Sequence, residues 1–219
     1  MRRLISTLVY FLFPPIKKYR RFKASQTSEV SFWQWCRFWL SRDKSQYWPV
    51  HNSSLVTHPS RIIVGINSKL GVQANNYIQG NGGIIIGNYV AIARNSGIIS
   101  ANHDVYDHSK HYEKEVQIDD YCWIGMNVMI MPGVHLGPRT VVGAGSVVTK
   151  SFPEGYCVIG GNPAKLIKEL DKERFVPTKL KEEYYGFVPK EEFQSFADKH
   201  LKNNKYIKEI EKISLQDKG

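Results

Sequence analysis

Residues 118–148 read IDDYCWIGMNVMIMPGVHLGPRTVVGAGSVV, and their rhythm decides the fold. Ile118, Ile124, Ile130, Leu136, Val142 and Val148 recur at every sixth position without a break. Small or acidic residues follow in phase: Asp119, Gly125, Gly137 and Gly143. An earlier block keeps the rule with Ile86, Ile92 and Ile98. A helical period of about 3.6 would spread these aliphatics over every side of a helix. Simple strand alternation leaves the glycines unexplained. A short strand, a turn and another short strand account for both. Three such segments close a triangular coil of about 18 residues, and stacked coils bury one aliphatic column. The stack predicts Ile118 beside Leu136, Ile124 beside Val142 and Ile130 beside Val148.

Between Ile98 and Ile118 the step is twenty, which is not a multiple of six, so a segment is inserted there. It contains Asn102, His103, Asp104, Tyr106, His108, His111 and Tyr112. A polar, histidine-rich loop held between two regular coils is a natural place for chemistry, because the scaffold fixes both of its ends.

Outside the repeat, composition narrows the classes. Hydrophobic residues make up 42% of the 219, which excludes a disordered chain. Cys36, Cys122 and Cys157 are odd in number and far apart, against a disulfide framework or a structural zinc site. They fit a reducing compartment, so a cytoplasmic location is expected. The net charge of +10 is uneven: residues 1–60 carry 10 Lys/Arg against 2 Asp/Glu. That excess lies away from the repeats, so no nucleic-acid partner is expected. The apolar run Leu4–Phe13 is too short to span a bilayer. It is followed by Pro14-Pro15 and a basic run rather than a cleavage site, so no cleaved leader is expected.

The motifs Trp123-Ile-Gly125, Met131-Pro-Gly-Val134, Val142-Gly-Ala-Gly-Ser-Val-Val-Thr-Lys150 and Gly161-Asn-Pro-Ala-Lys165 resemble those of the bacterial hexapeptide-repeat acyltransferases. The branch they resemble holds sugar and capsular-polysaccharide O-acetyltransferases. The segment Ile98-Ile-Ser-Ala-Asn-His-Asp104 resembles the one that presents that family's catalytic histidine. The resemblance covers roughly half the chain. It implies a mainly β protein, a left-handed parallel β-helix over residues 61–168, that acts as a homotrimer. The left hand comes from the resemblance alone, since general topology favours right-handed crossovers. It also implies acetyl-CoA as acyl donor, no required metal, and a hydroxyl of a sugar or polysaccharide precursor as acceptor. N-acetylation of an amino sugar and a non-catalytic assembly role stay open.

Acyl transfer to a hydroxyl needs a base, oxyanion donors and a groove for the long thioester arm. An imidazole, with an ordinary pKa of about 6.5, suits the first task, and His103 stands both at the break in rhythm and in the family's position. Asn76 is the expected catalytic partner from an earlier coil, with turn capping as its other reading. Asp104, Tyr106, His108 and His111 are expected around the acceptor. For the acyl donor the expected contacts are Trp123, Gly125, Gly143, Ala144, Lys150, Pro163, Ala164 and Lys165. A zinc hydratase of the γ-carbonic-anhydrase type is a rival because His103 and His108 are spaced as ligands, but no third histidine occurs in an upstream repeat coil.

Residues 1–60 and 169–219 read as helical extensions. Leu4, Ile5, Leu8, Val9, Leu12 and Phe13 share one helical face before a basic run. Packing on a neighbouring subunit and peripheral contact with an anionic membrane are the two readings. Trp33, Trp35, Trp39 and Trp48 are expected to cover the open first coil, because a bare end exposes unpaired strand edges. The tail is expected to be helical and docked on one side.

Overall fold

The computed structural model describes residues 14–25, 30–176, 180 and 182–201, so the amphipathic Leu4–Phe13 run lies outside the described residues. The chain winds through three faces in turn. The first coils hold β1 (Leu55–Thr57), β2 (Ile62–Val64), β3 (Tyr77–Gln79), β4 (Ile84–Ile86), β5 (Ala91–Ile92) and β6 (Gly97–Ile99). A hairpin of β7 (Ala101–His103) and β8 (His111–Glu113) then leaves the prism. Winding resumes with β9 (Val116–Ile118), β10 (Trp123–Ile124), β11 (Met129–Ile130), β12 (His135–Leu136), β13 (Val141–Val142) and β14 (Val147–Val148). It ends in β15 (Cys157–Gly161) and β16 (Ala164–Glu169), which fold back as an antiparallel pair.

The three sheets run β1-β3-β6-β11-β14, β16-β15-β13-β10-β5 and β12-β9-β4-β2, parallel except for the β15–β16 pair. Their register is the one the six-residue period demands: Ile118 faces Leu136, Ile124 faces Val142 and Ile130 faces Val148. All six of these side chains are buried, none more than 1% exposed. Each contributes roughly 1.5–3 kcal/mol by leaving water. The same column reaches down to Ile86, Ile92 and Ile98, which pair with Ile118, Ile124 and Ile130. Those partners lie 32 residues apart where later coils repeat every 18, so the hairpin is an insertion of fourteen that leaves the stacking undisturbed.

The first coil is sealed by both ends of the chain. β2 is the edge of its sheet. The buried Tyr47 hydroxyl accepts from the Val64 N–H at 2.7 Å and donates to the Val64 carbonyl at 2.9 Å, closing that edge. Beside it a second hairpin, β17 (Tyr184–Tyr185) and β18 (Val188–Pro189), bridges Ile66 through Tyr185. Three helices complete this lid: α1 (Pro14–Ser25), α2 (Phe32–Leu40) and α3 (Lys190–His200). Phe38 stacks on Phe187 at 4.8 Å, and Tyr185 stacks on Phe193 at 3.9 Å. Trp35 and Trp48 are buried within it, whereas Trp33 is exposed.

Two expectations change here. The segment from Glu169 is not one helical run, because β16, a 3-10 turn (Lys172–Arg174) and the second hairpin precede α3. The basic run is partly committed: Arg21 pairs with Glu182 and Glu191, and Lys18 with Glu192. Among the described residues no helix is long and apolar enough to cross a membrane.

Candidate active site

The inserted hairpin is built by local hydrogen bonds. Asp104 Oδ1 accepts the N–H groups of Tyr106 and Asp107 at 2.8 and 3.0 Å, an Asx-type turn that reverses the chain. Asp107 accepts the Ser109 hydroxyl at 2.6 Å and pairs with Lys110 at 2.9 Å. Those contacts, the Ser109 hydroxyl first, hold its carboxyl below the usual range. At the base, Gln79 Oε1 accepts the Ala101 N–H at 3.1 Å, and Arg61 pairs with Glu113 at 3.1 Å. The hairpin is thus tied to two earlier coils.

His103 ends β7, exposed, opposite His111 in register. Its Nδ1 lies 2.8 Å from the His108 carbonyl oxygen. A carbonyl only accepts, so Nδ1 carries the hydrogen in this bond and Nε2 presents its lone pair outward. The His103 and His111 rings lie 4.1 Å apart between centroids, and His108 is 6.3 Å away. His103, His108 and His111 therefore form one cluster, while the Asp104 carboxylate is turned to the Tyr106 and Asp107 N–H groups. Tyr106, at the tip, is 96% exposed in the single chain. Among the described residues no group of three or more His, Cys, Asp or Glu side chains is placed to hold a metal ion.

Asn76 is not part of that cluster. It precedes β3, on the edge of the sheet away from the hairpin, since Tyr77 pairs with Gly97 and Gln79 with Ile99. It is buried, and its Nδ2 donates to the carbonyls of Ala93 at 2.9 Å and Ser96 at 3.3 Å. Within one chain it caps turns.

The expected donor-binding residues separate into two sorts. Trp123 is exposed on the outward row Ala91, Trp123, Val141 and Val158. Gly145 has a φ of +73°, and a Cβ there would meet nothing within 4 Å. A Cβ on Gly143 would meet only ordinary contacts, the nearest at 3.5 Å. Ala144, Lys150, Pro163 and Lys165 are exposed. Gly125 is different, because a Cβ there would lie 2.7 Å from the Ala144 nitrogen and 2.8 Å from the Val142 oxygen. The close approach of the next coil is by itself enough to demand that glycine. Ala164 likewise belongs to the core, 1% exposed. The feature that sequence reasoning missed is the His108 carbonyl. A backbone acceptor leaves no trace in residue identity.

The family described as "Bacterial transferase hexapeptide (six repeats)" matches residues 115–150, the stretch in which the coils repeat every 18 residues. The chain carries the bacterial transferase hexapeptide repeat. Over 96 residues it is 34% identical to a galactoside O-acetyltransferase of Lactococcus lactis, covering 42% of this chain and 46% of that relative. The chain spans about half the length of the curated relatives it matches. Among solved structures the hexapeptide prism is similar to a maltose O-acetyltransferase from Clostridium difficile, with TM-score 0.55 and 29% identity over 72% of this chain and 85% of that one. It is also similar to a galactoside acetyltransferase solved in complex with coenzyme A, with TM-score 0.50 and 28% identity over 62% and 70%.

Proposed function

We propose that this chain transfers an acetyl group from acetyl-CoA to a hydroxyl of a sugar or polysaccharide precursor, with His103 as general base. The observation that carries the reading is the 2.8 Å bond from His103 Nδ1–H to the His108 carbonyl, which leaves Nε2 free as a base. The hexapeptide repeat and the likeness to sugar acetyltransferases support the reaction class. The open surface at Gly143, Ala144 and Gly145, with Trp123 on the neighbouring face, fits an extended thioester arm, and Lys150 and Lys165 would meet its phosphates.

The donor supplies an activated acetyl thioester. Nε2 of His103 removes the proton from the acceptor hydroxyl as its oxygen attacks the acetyl carbon. The bond from Nδ1–H to a neutral carbonyl keeps the ring oriented while the imidazolium forms. The same proton then passes to the departing sulfur, which returns the base to its starting state. Tyr106 and His111 offer an aromatic face and hydrogen-bonding tips to the sugar.

We place the working site between copies of the chain, in a homotrimer. Trp123, Met126, Leu55 and Tyr77 are exposed on prism faces, an apolar exposure that closure of a symmetric assembly would cover.

The decisive test is His103→Ala, read by turnover, dissociation constant for CoA and melting temperature together. Turnover is expected to fall roughly 10²–10⁴-fold with the other two unchanged. Near wild-type turnover in the folded variant removes His103 from the mechanism.

A further inference from the structure

A cavity of about 750 Å³ opens where α2 meets the early coils. It is lined by Trp33, Arg37, His51, Asn52, Gln73 and Arg94 among others, and among the described residues no carboxylate lines it. Arg94 stands on the turn just before β6, whereas His103 follows the far end of β6, so the cavity and the hairpin lie at opposite edges of one sheet.

Three properties define what it would accept. First, Arg37 and Arg94 are both exposed, and among the described residues neither guanidinium makes a hydrogen bond or ion pair. Asp43 lines the adjoining cavity, which shares Arg37, His51 and Asn52 with this one, and its carboxylate accepts the Ser45 N–H at 2.8 Å. Planar guanidinium forks match carboxylate and phosphate oxygens. Second, Trp33 is 78% exposed although the other aromatic residues of α2 face the lid. An indole face left in solvent beside polar groups is a surface on which a sugar ring stacks. Third, the side-chain amides of Asn52 and Gln73 supply donors and acceptors for hydroxyl groups. The volume falls within the range of small-molecule sites.

We infer that this cavity binds a saccharide carrying an anionic group, a uronic acid carboxylate or a sugar phosphate, at the edge of the sheet opposite His103 of the same chain. The choice of a saccharide rests on the acetyltransferase reading, while the anion preference rests on the two arginines alone. Such a site would hold an acidic glycan chain or a phosphorylated precursor by a part that does not react.

The test is a binding titration on the full chain without acetyl-CoA, following tryptophan fluorescence and heat. The probes are tetragalacturonate, maltotetraose, glucose 1-phosphate and inorganic phosphate. At least one anionic sugar is expected to bind tenfold or more tightly than maltotetraose, and to weaken with added salt. Which of the two anionic sugars binds separates a uronic chain from a phosphorylated precursor. The Arg37→Gln, Arg94→Gln double variant is expected to lose that preference while keeping its melting temperature and its affinity for CoA. Should the double variant melt earlier, Arg94→Gln alone, on an exposed turn, gives the same readout. Equal binding of neutral and anionic sugars, or full preference in the variant, overturns the site. Phosphate competing as well as glucose 1-phosphate, with tetragalacturonate failing to bind, overturns the saccharide assignment. Loss of CoA binding by the unmodified chain would instead undermine the acetyltransferase reading and leaves the sugar titration to stand by itself.

Discussion

Gly125 and Gly143 occupy equivalent places one coil apart, and adding a single methyl group to each is expected to give opposite results. At Gly125 the new Cβ would sit 2.7 Å from the Ala144 nitrogen, 2.8 Å from the Val142 oxygen and 3.0 Å from the Ala144 Cα. All three are backbone atoms of the next coil, so relief requires parting two rungs that are joined by the Gly125 N–H to Val142 carbonyl bond at 2.9 Å. Overpacking of this kind costs about 1–3 kcal/mol. For a chain of this size each kcal/mol moves the melting temperature by roughly 2–4 °C, so Gly125→Ala is expected to melt about 2–12 °C lower. At Gly143 the nearest atoms are the Ile159 oxygen at 3.5 Å and the Ser146 hydroxyl at 3.8 Å, which are ordinary contacts. Gly143→Ala is therefore expected to melt within about 2 °C of the parent, since such a substitution stays within about 0.5 kcal/mol. Its methyl group projects into the proposed thioester channel, and the dissociation constant for CoA is expected to rise at least tenfold. Differential scanning fluorimetry and calorimetric CoA titration on both variants separate the two effects. A Gly125→Ala protein with the parent melting temperature refutes the packing argument. Unchanged CoA affinity in Gly143→Ala refutes the channel.

Tyr47→Phe deletes the hydroxyl that holds both polar groups of Val64, which are then left buried and unmet. The expected loss is about 1–3 kcal/mol by denaturant unfolding, with catalysis at the distant hairpin unchanged. A variant as stable as the parent would show that the lid, and not this hydroxyl, secures the edge. Light scattering at micromolar concentration is expected to give three times the 25.2 kDa chain mass, and a monomer would count against the shared site.

The prism was legible because one chemical fact recurs: an inward aliphatic at every sixth residue, which no other local structure needs. The inserted hairpin was legible as a broken count between Ile98 and Ile118. Other features had no such signal. Gly125 and Gly143 look alike in sequence, and only the position of the next coil tells a packing glycine from an open one. Asn75 and Asn76 are neighbours, yet Asn76 is buried in backbone bonds and Asn75 is exposed with its Nδ2 on Asn95 at 3.1 Å. The lid was half legible. The tryptophans announced a cover, but the rings that meet Phe22, Phe38 and Tyr47 in it, Tyr184, Phe187 and Phe193, lie more than a hundred residues away, beyond the reach of any periodicity.

The seal on the first coil has a consequence for how the protein is made. Ile62–Val64 is among the first parts of the prism to leave the ribosome, and Tyr184–Pro189 follows all of its coils. Throughout synthesis of the intervening coils, β2 has Tyr47 along its outer side but lacks the hairpin that completes its cover. An uncovered strand edge recruits other strands, those of sister nascent chains included. The growing stack therefore carries a directional hazard: each new coil protects the one before it, while the oldest edge waits longest for shelter. The second hairpin, translated after every coil of the prism, acts as a latch on the first coil, and premature termination before residue 184 would release prisms that are wound but open at one end.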